Sequence, residues 1–351
     1  MIRIPRPDDF HVHVRQGPAM AAYVADHAAI FGRGLMMPNT VPSIRDAVGL
    51  AEYRAAILRA ATRVNPGYQP LMTFKVFIPD SLEQGGDVAN QIADLKSAGA
   101  IAGKLYPAGV TTNSADGVSD LDALYPVLEA MQDSGLVLCV HGEDPDAFCL
   151  DREAAFLPKL NRVVCDFPRL RIVLEHVSTA AAVDWVSGQP DRVAATVTVH
   201  HLLHTLDDML AGHLQPHLFC KPLLKRPDDR SAIQSAVLSG SPRFFFGSDS
   251  APHERVAKEC DCGAAGIYSA TVALPLLASF FEAREKLDLL AEFTGRFGAE
   301  FYGLALPNDE LVLVRKKWVV PMTLHLGADG FSGGGVVPLA AGQELEWAVE
   351  I

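Results

Sequence analysis

Leu136-Val137-Leu138-Cys139-Val140-His141 is a short apolar run that ends on an imidazole. Arg171-Ile172-Val173-Leu174-Glu175-His176 repeats that pattern. Near-continuous apolar runs of this length fit strands buried on both faces, as in a parallel sheet covered by helices. Working outward, comparable runs occur at 10–15, 34–39, 70–77, 101–106, 193–201 and 243–249, which makes eight. Helix-like segments separate them at 44–63, 88–97, 120–134, 151–165, 180–187 and 230–238. Eight alternating units predict an α/β fold of the (β/α)8 TIM-barrel kind rather than an open doubly wound sheet. No G-x-G-x-x-G or P-loop pattern follows the first run, which argues against a dinucleotide fold. After the eighth run, 271–285 and 287–297 read as helices. The tail from about residue 308 carries β-like runs at 311–314, 318–320 and 345–349. The expectation is one domain over 1–351, with 308–351 as a C-terminal extension packed on the barrel.

The composition supports a large buried core: 351 residues, 49% hydrophobic and 21% charged. A formal net charge of −12 lacks the basic face that nucleic-acid binding requires. The first nine residues contain no apolar signal segment, and the longest apolar run, 272–281, is too short for a bilayer and contains Pro275. These features predict a soluble, cytoplasmic protein. Its six cysteines include only one close pair, Cys260 and Cys262, so free thiols are expected rather than a cysteine zinc site.

The chemistry lies in where polar residues fall within the runs. In Phe10-His11-Val12-His13-Val14-Arg15, strand alternation would put His11, His13 and Arg15 on one face and Phe10, Val12 and Val14 on the other. Lys104 lies in the fourth run, His141 and His176 end the fifth and sixth, and Asp249 ends the eighth. The C-terminal strand ends form the mouth of a TIM barrel, where its chemistry occurs. Singly, each has a bland alternative: an exposed alternating strand, a satisfied core histidine, a helix-capping aspartate, a snorkelling lysine. Four histidines and an aspartate meeting at one rim suit a zinc-like divalent metal. His200, His201 and His204 are read as non-ligands. An ammonium cannot ligate, but a Lys104 carbamate would be an anion able to bridge two metals and to offset their charge.

Together, His11-x-His13, Gly103-Lys104-Leu105-Tyr106-Pro107, His141-Gly142-Glu143, Glu175-His176 and Gly247-Ser248-Asp249-Ser250-Ala251-Pro252-His253 resemble the amidohydrolase superfamily. More narrowly they resemble the stand-alone, homodimeric bacterial dihydroorotases, from Arg6 nearly to the C-terminus. The resemblance implies two Zn(2+) ions per subunit, one held by His11, His13 and Asp249 and the other by His141 and His176. N6-carboxylated Lys104 and a hydroxide would bridge them. It implies reversible cyclisation of N-carbamoyl-L-aspartate to L-dihydroorotate in pyrimidine biosynthesis, with Asp249 carrying the proton. Arg15, Asn39 and His253 match positions that hold the substrate carboxylate. Backbone groups of Lys221 and Ala265 match further substrate contacts, and Thr111 and Thr112 match a loop that closes over the substrate. Read without the resemblance, 107–117 is an ordinary polar surface loop.

The chemistry agrees with the residues: bridging metals supply hydroxide near neutral pH, and Asp249 can move a proton to the leaving nitrogen. The nearest rival is another cyclic-amide hydrolase, a hydantoinase or dihydropyrimidinase, separated only by the carboxylate-binding residues. A non-catalytic barrel is the second rival, and filled ligand positions argue against it.

Overall fold

The computed structural model of the chain describes residues 1–78, 88–114 and 116–350. Eight parallel strands follow one another around a barrel in sequence order. They are β2 (Asp8–Val12), β3 (Arg33–Met36), β4 (Gln69–Lys75), β5 (Ala100–Leu105), β6 (Val137–Val140), β7 (Arg171–Leu174), β8 (Val193–Val197) and β9 (Phe244–Phe246). β1 (Ile2–Pro5), which the sequence reading did not find, pairs with β10 (Glu310–Val319), and β10 pairs with β11 (Glu344–Glu350) in a separate antiparallel sheet. The two β-like runs at 311–314 and 318–320 are thus one strand, with a register shift between Arg315 and Trp318.

Strand alternation sorts the barrel interior into a dry floor and a polar mouth. Leu35, Ala102, Val137, Cys139, Val173, Ala194 and Phe245 share an interior cluster with Phe10, Phe297 and Tyr302. Steps of two from these residues lead upward to Asn39, Lys104, His141, Glu175, Thr196 and Asp249. The floor is sealed by Phe10, whose ring stacks on Tyr302 at 5.2 Å. The larger apolar cluster lies between the strands and the surrounding helices.

Two details differ from strict alternation. A register shift between Asp9 and Val12 sends Phe10 to the interior, while Val12 and Val14 join the outer cluster. β8 stops at Val197, and His200 and His201 lie on a short helix, Val199–Leu203, capped by the Thr198 side chain. The barrel is nearly closed at its mouth: Asp249 N–H donates to His11 C=O at 2.8 Å, and His13 N–H donates to Ser250 C=O at 3.0 Å. Asp9 fastens the same seam by accepting from the backbone N–H groups of His11 and Ser248, at 3.0 and 2.8 Å. The contacts that close the barrel therefore also hold His11, His13 and Asp249 beside one another.

Candidate metal centre and substrate cavity

His11 is the penultimate residue of β2, and His13 lies just beyond it. The His11 ring sends Nδ1 to Glu175 Oε2 at 2.7 Å, and that carboxylate also accepts from Thr196 Oγ1 at 2.6 Å. His13 places Nδ1 against Asn39 Oδ1 at 2.8 Å. With Nδ1 engaged in both rings, Nε2 remains for a ligand. The two Nε2 atoms lie 3.5 and 3.1 Å from Asp249 Oδ1. His141 is oriented the other way, with Nε2 against Glu143 Oε2 at 2.7 Å, leaving Nδ1. His176 Nδ1 is buried without a partner, and its ring lies 4.7 Å from that of His141 and 5.0 Å from that of His11. Carboxylate and amide partners that fix the tautomer of a ligating imidazole are the usual outer support of a metal site.

Lys104 is fully buried at the floor of this cluster, and its Nζ makes no hydrogen bond. Burial lowers its pKa despite the nearby Glu175 carboxylate. An unpartnered buried ammonium is costly, whereas a neutral amine or a modified nitrogen is not. Burial likewise lowers His13 to about 4 and His176 well below the ordinary histidine range, so both rings are neutral and able to ligate. Burial opposes the Asp249 carboxylate, but the His13 hydrogen bond and the neighbouring His11 hold its carboxyl well below the ordinary range. Among the described residues, His11, His13 and Asp249 bring one ligand atom each within 4.8 Å of one another. The orphaned Lys104 and His176 nitrogens, beside this acid and these neutral imidazoles, fit a divalent metal centre.

His200, His201 and Cys220 form a second compact group. Both ring nitrogens of His201 are engaged, by Thr198 Oγ1 at 2.9 Å and Pro222 C=O at 3.1 Å. His201 thus has no free ring nitrogen, whereas both ring nitrogens of His200 are buried without a partner among the described residues.

A narrow cleft opens above the histidines, lined by Arg15, Asn39, Tyr106, Thr111, Thr112, Lys221 and Ala265 among others. Arg15 is not on the strand as alternation predicts. β2 ends at Val12, and Arg15 adopts φ +57, which turns the chain there. Its Nη2 meets His253 Nε2 at 2.9 Å, and its Nε donates to Pro252 C=O at 3.1 Å. Burial, and then Arg15, lowers His253 to about 3, so this ring is neutral and accepts from the guanidinium. His253 therefore reaches the cavity through Arg15. Asn39 touches His13 and donates from Nδ2 to Thr112 C=O at 3.1 Å. The loop is held further by Asn113 Nδ2 on Asn39 C=O and Lys75 Nζ on Asn113 C=O, both at 3.0 Å. Ala115 of this loop lies outside the described residues. His176 and Asp249 share the left-handed conformation of Arg15, at φ +44 and +42. Non-glycine residues held there cost about 1–3 kcal/mol each and cluster at functional sites.

The sequence reading gave no role to Glu175 and Glu143. Glu143 had a local signal, two residues from the His141 it supports, whereas Glu175 supports His11, 164 residues away, which no local spacing shows. A larger cavity, about 370 Å³, lies elsewhere against Tyr125, Phe156, Lys159 and Arg162 and includes none of the histidines.

Residues 8–208 match the amidohydrolase family model. Fold and site together define an amidohydrolase. A dihydroorotase from Marinobacter nauticus is 46% identical over 350 residues, covering 99% of this chain and 98% of that one. The crystal structure of a Campylobacter jejuni dihydroorotase superposes with a TM-score of 0.89 at 34% identity, covering 100% of this chain and 97% of that one. A Saccharomyces cerevisiae dihydroorotase in complex with 5-fluoroorotic acid gives 0.88 at 35% identity, covering 99% and 98%. The chain belongs to the dihydroorotase family. No helix among the described residues is long and apolar enough to cross a membrane.

Proposed function

We propose that this chain catalyses the reversible ring closure of N-carbamoyl-L-aspartate to L-dihydroorotate in pyrimidine synthesis. The observation that carries the reading is the pairing of a metal-type cluster with a cation anchor. His11, His13, His141, His176, Lys104 and Asp249 meet at one rim, and the Arg15–His253 pair stands beside them. We assign one zinc ion to His11, His13 and Asp249 and a second to His141 and His176, with carboxylated Lys104 between them. In that carboxylation neutral Lys104 Nζ attacks carbon dioxide, an N–C bond forms, and one proton leaves. When bound, the metal pair supplies hydroxide near neutral pH and polarises the scissile carbonyl.

The chain's own residues do the rest. In the hydrolytic direction Asp249 takes the proton released by the attacking oxygen and delivers it to the ring nitrogen as the C–N bond breaks. In the biosynthetic direction Asp249 removes that proton from the ureido nitrogen as it attacks the side-chain carboxyl carbon, and returns it to the carboxyl oxygen that leaves as the C–O bond breaks. The Arg15 guanidinium binds the ring carboxylate, with Asn39 and His253 setting its position. Thr111 and Thr112 close the cavity from the loop side and exclude water. Lys221 and Ala265 present backbone groups to the substrate. We further assign residues 1–351 to one domain, with 308–351 as its C-terminal extension, acting in the cytoplasm as a homodimer.

The test compares ring opening of L-dihydroorotate, hydantoin and dihydrouracil by the purified, zinc-loaded protein. Turnover of dihydroorotate alone is the expected result, because the other rings lack the carboxylate that Arg15 binds. Preference for hydantoin or dihydrouracil contradicts the assignment.

A further inference from the structure

Lys258 ends a short helix, Arg255–Lys258, and is only 4% exposed. Among the described residues no carboxylate pairs with it. Its Nζ instead donates to two backbone carbonyls, Phe219 C=O at 2.8 Å and Gly266 C=O at 2.7 Å. Gly266 N–H donates to the same Phe219 carbonyl at 2.9 Å. Lys258 is thus a second donor to the Phe219 carbonyl and a donor to the buried Gly266 carbonyl, and an ammonium with three N–H groups can serve both. The segments it joins lead directly to Lys221 and Ala265 on the cavity wall. Gly266 has no slack: at φ +147 its backbone lies so near Ala251 that an added Cβ would meet Ala251 C=O at 2.5 Å.

We propose that Lys258 is a positioning residue whose ammonium clamps the Phe219 and Gly266 carbonyls and so fixes the spacing of the Lys221 and Ala265 backbones that contact the substrate. This inference rests on the dihydroorotase reading above. Burial lowers the Lys258 pKa to about 8, with Arg15 adding to that effect and Cys220 opposing it. The buried charge is retained at this cost in exchange for the two carbonyl contacts. Lys258 does not line the cavity and touches none of the residues assigned to metal. Its loss should therefore weaken substrate binding while the reacting groups stay in place.

The experiment measures KM for L-dihydroorotate, the inhibition constant of 5-fluoroorotate, kcat and zinc content for wild type, Lys258→Met and Lys258→Gln. Lys258→Met removes both bonds, and KM and the inhibition constant should rise together by about tenfold or more, with kcat and zinc nearly unchanged. Lys258→Gln keeps one donor and should fall between; it decides the matter if the Met variant does not fold. Unchanged KM and inhibition constant overturn the inference, as does a joint loss of kcat and zinc. A wild-type protein that does not open dihydroorotate instead overturns the reading on which the inference rests.

Discussion

Replacing Glu175 by glutamine tests how the metal cluster is held. Glu175 is buried and receives His11 Nδ1 at 2.7 Å and the Thr196 hydroxyl at 2.6 Å. Burial opposes its ionisation, but His11 beside it and the hydrogen bonds from His11 and Thr196 keep the carboxyl below the ordinary range, so the partner of His11 is a carboxylate. Glutamine keeps the shape and an acceptor oxygen but loses the charge. Hydrogen bonds to charged groups contribute about 1.5–3 kcal/mol against about 0.5–1.5 for neutral ones, a difference of about 1–1.5 kcal/mol. At about 1.4 kcal/mol per tenfold, that alone weakens metal binding about tenfold. Loss of the negative charge facing a dication adds to it, and outer-support substitutions typically cost about 10–100-fold in metal affinity. Competition titration of zinc against a chromophoric chelator measures the change, with thermal unfolding of the metal-free proteins as the control for folding. An affinity within twofold of wild type would refute the claim that Glu175 fixes His11 as a ligand.

Glu153 is buried, accepts from Ser178 N–H at 2.9 Å, and is pushed up to about 7, chiefly by burial. The folded state therefore binds the extra proton between the ordinary value of 4.5 and about 7, and stability falls as pH rises through that window by about 3 kcal/mol. Denaturant unfolding of wild type and Glu153→Gln should show that slope in the first and not in the second; parallel curves exclude it. Gly298→Ala would set a Cβ 2.2 Å from Phe10 Cε2, under the ring that seals the barrel floor. It should lower stability by about 1–3 kcal/mol, read from the urea midpoint. Arg15→Lys keeps the charge but loses the planar fork, so KM for dihydroorotate should rise about tenfold while zinc content holds. A fall in zinc content would instead place Arg15 in the support of the metal cluster.

Much of this was legible in the sequence because parallel barrel strands are short, apolar and end where the chemistry begins. Lys104 and His141 sit where steps of two along β5 and β6 place them. Arg15, His176 and Asp249 were found by residue type and position, but their aim depends on left-handed backbone that no strand pattern encodes. The register shift in β2 likewise separates Phe10 from Val12, against the alternation of side chains. β1 escaped notice because a four-residue strand has meaning only beside its partner, more than 300 residues away. Lys258 carries no local motif at all; its role arises from two carbonyls that only the folded chain brings together.

The central claim is that Lys104, with no hydrogen-bond partner in its buried place, completes a two-metal site by carboxylation. Zinc content and dihydroorotate ring opening, measured together on wild type and Lys104→Ala, test it most directly. The account predicts an active wild type and a variant that loses activity and binds zinc weakly. An active, fully metallated Lys104→Ala protein would contradict it.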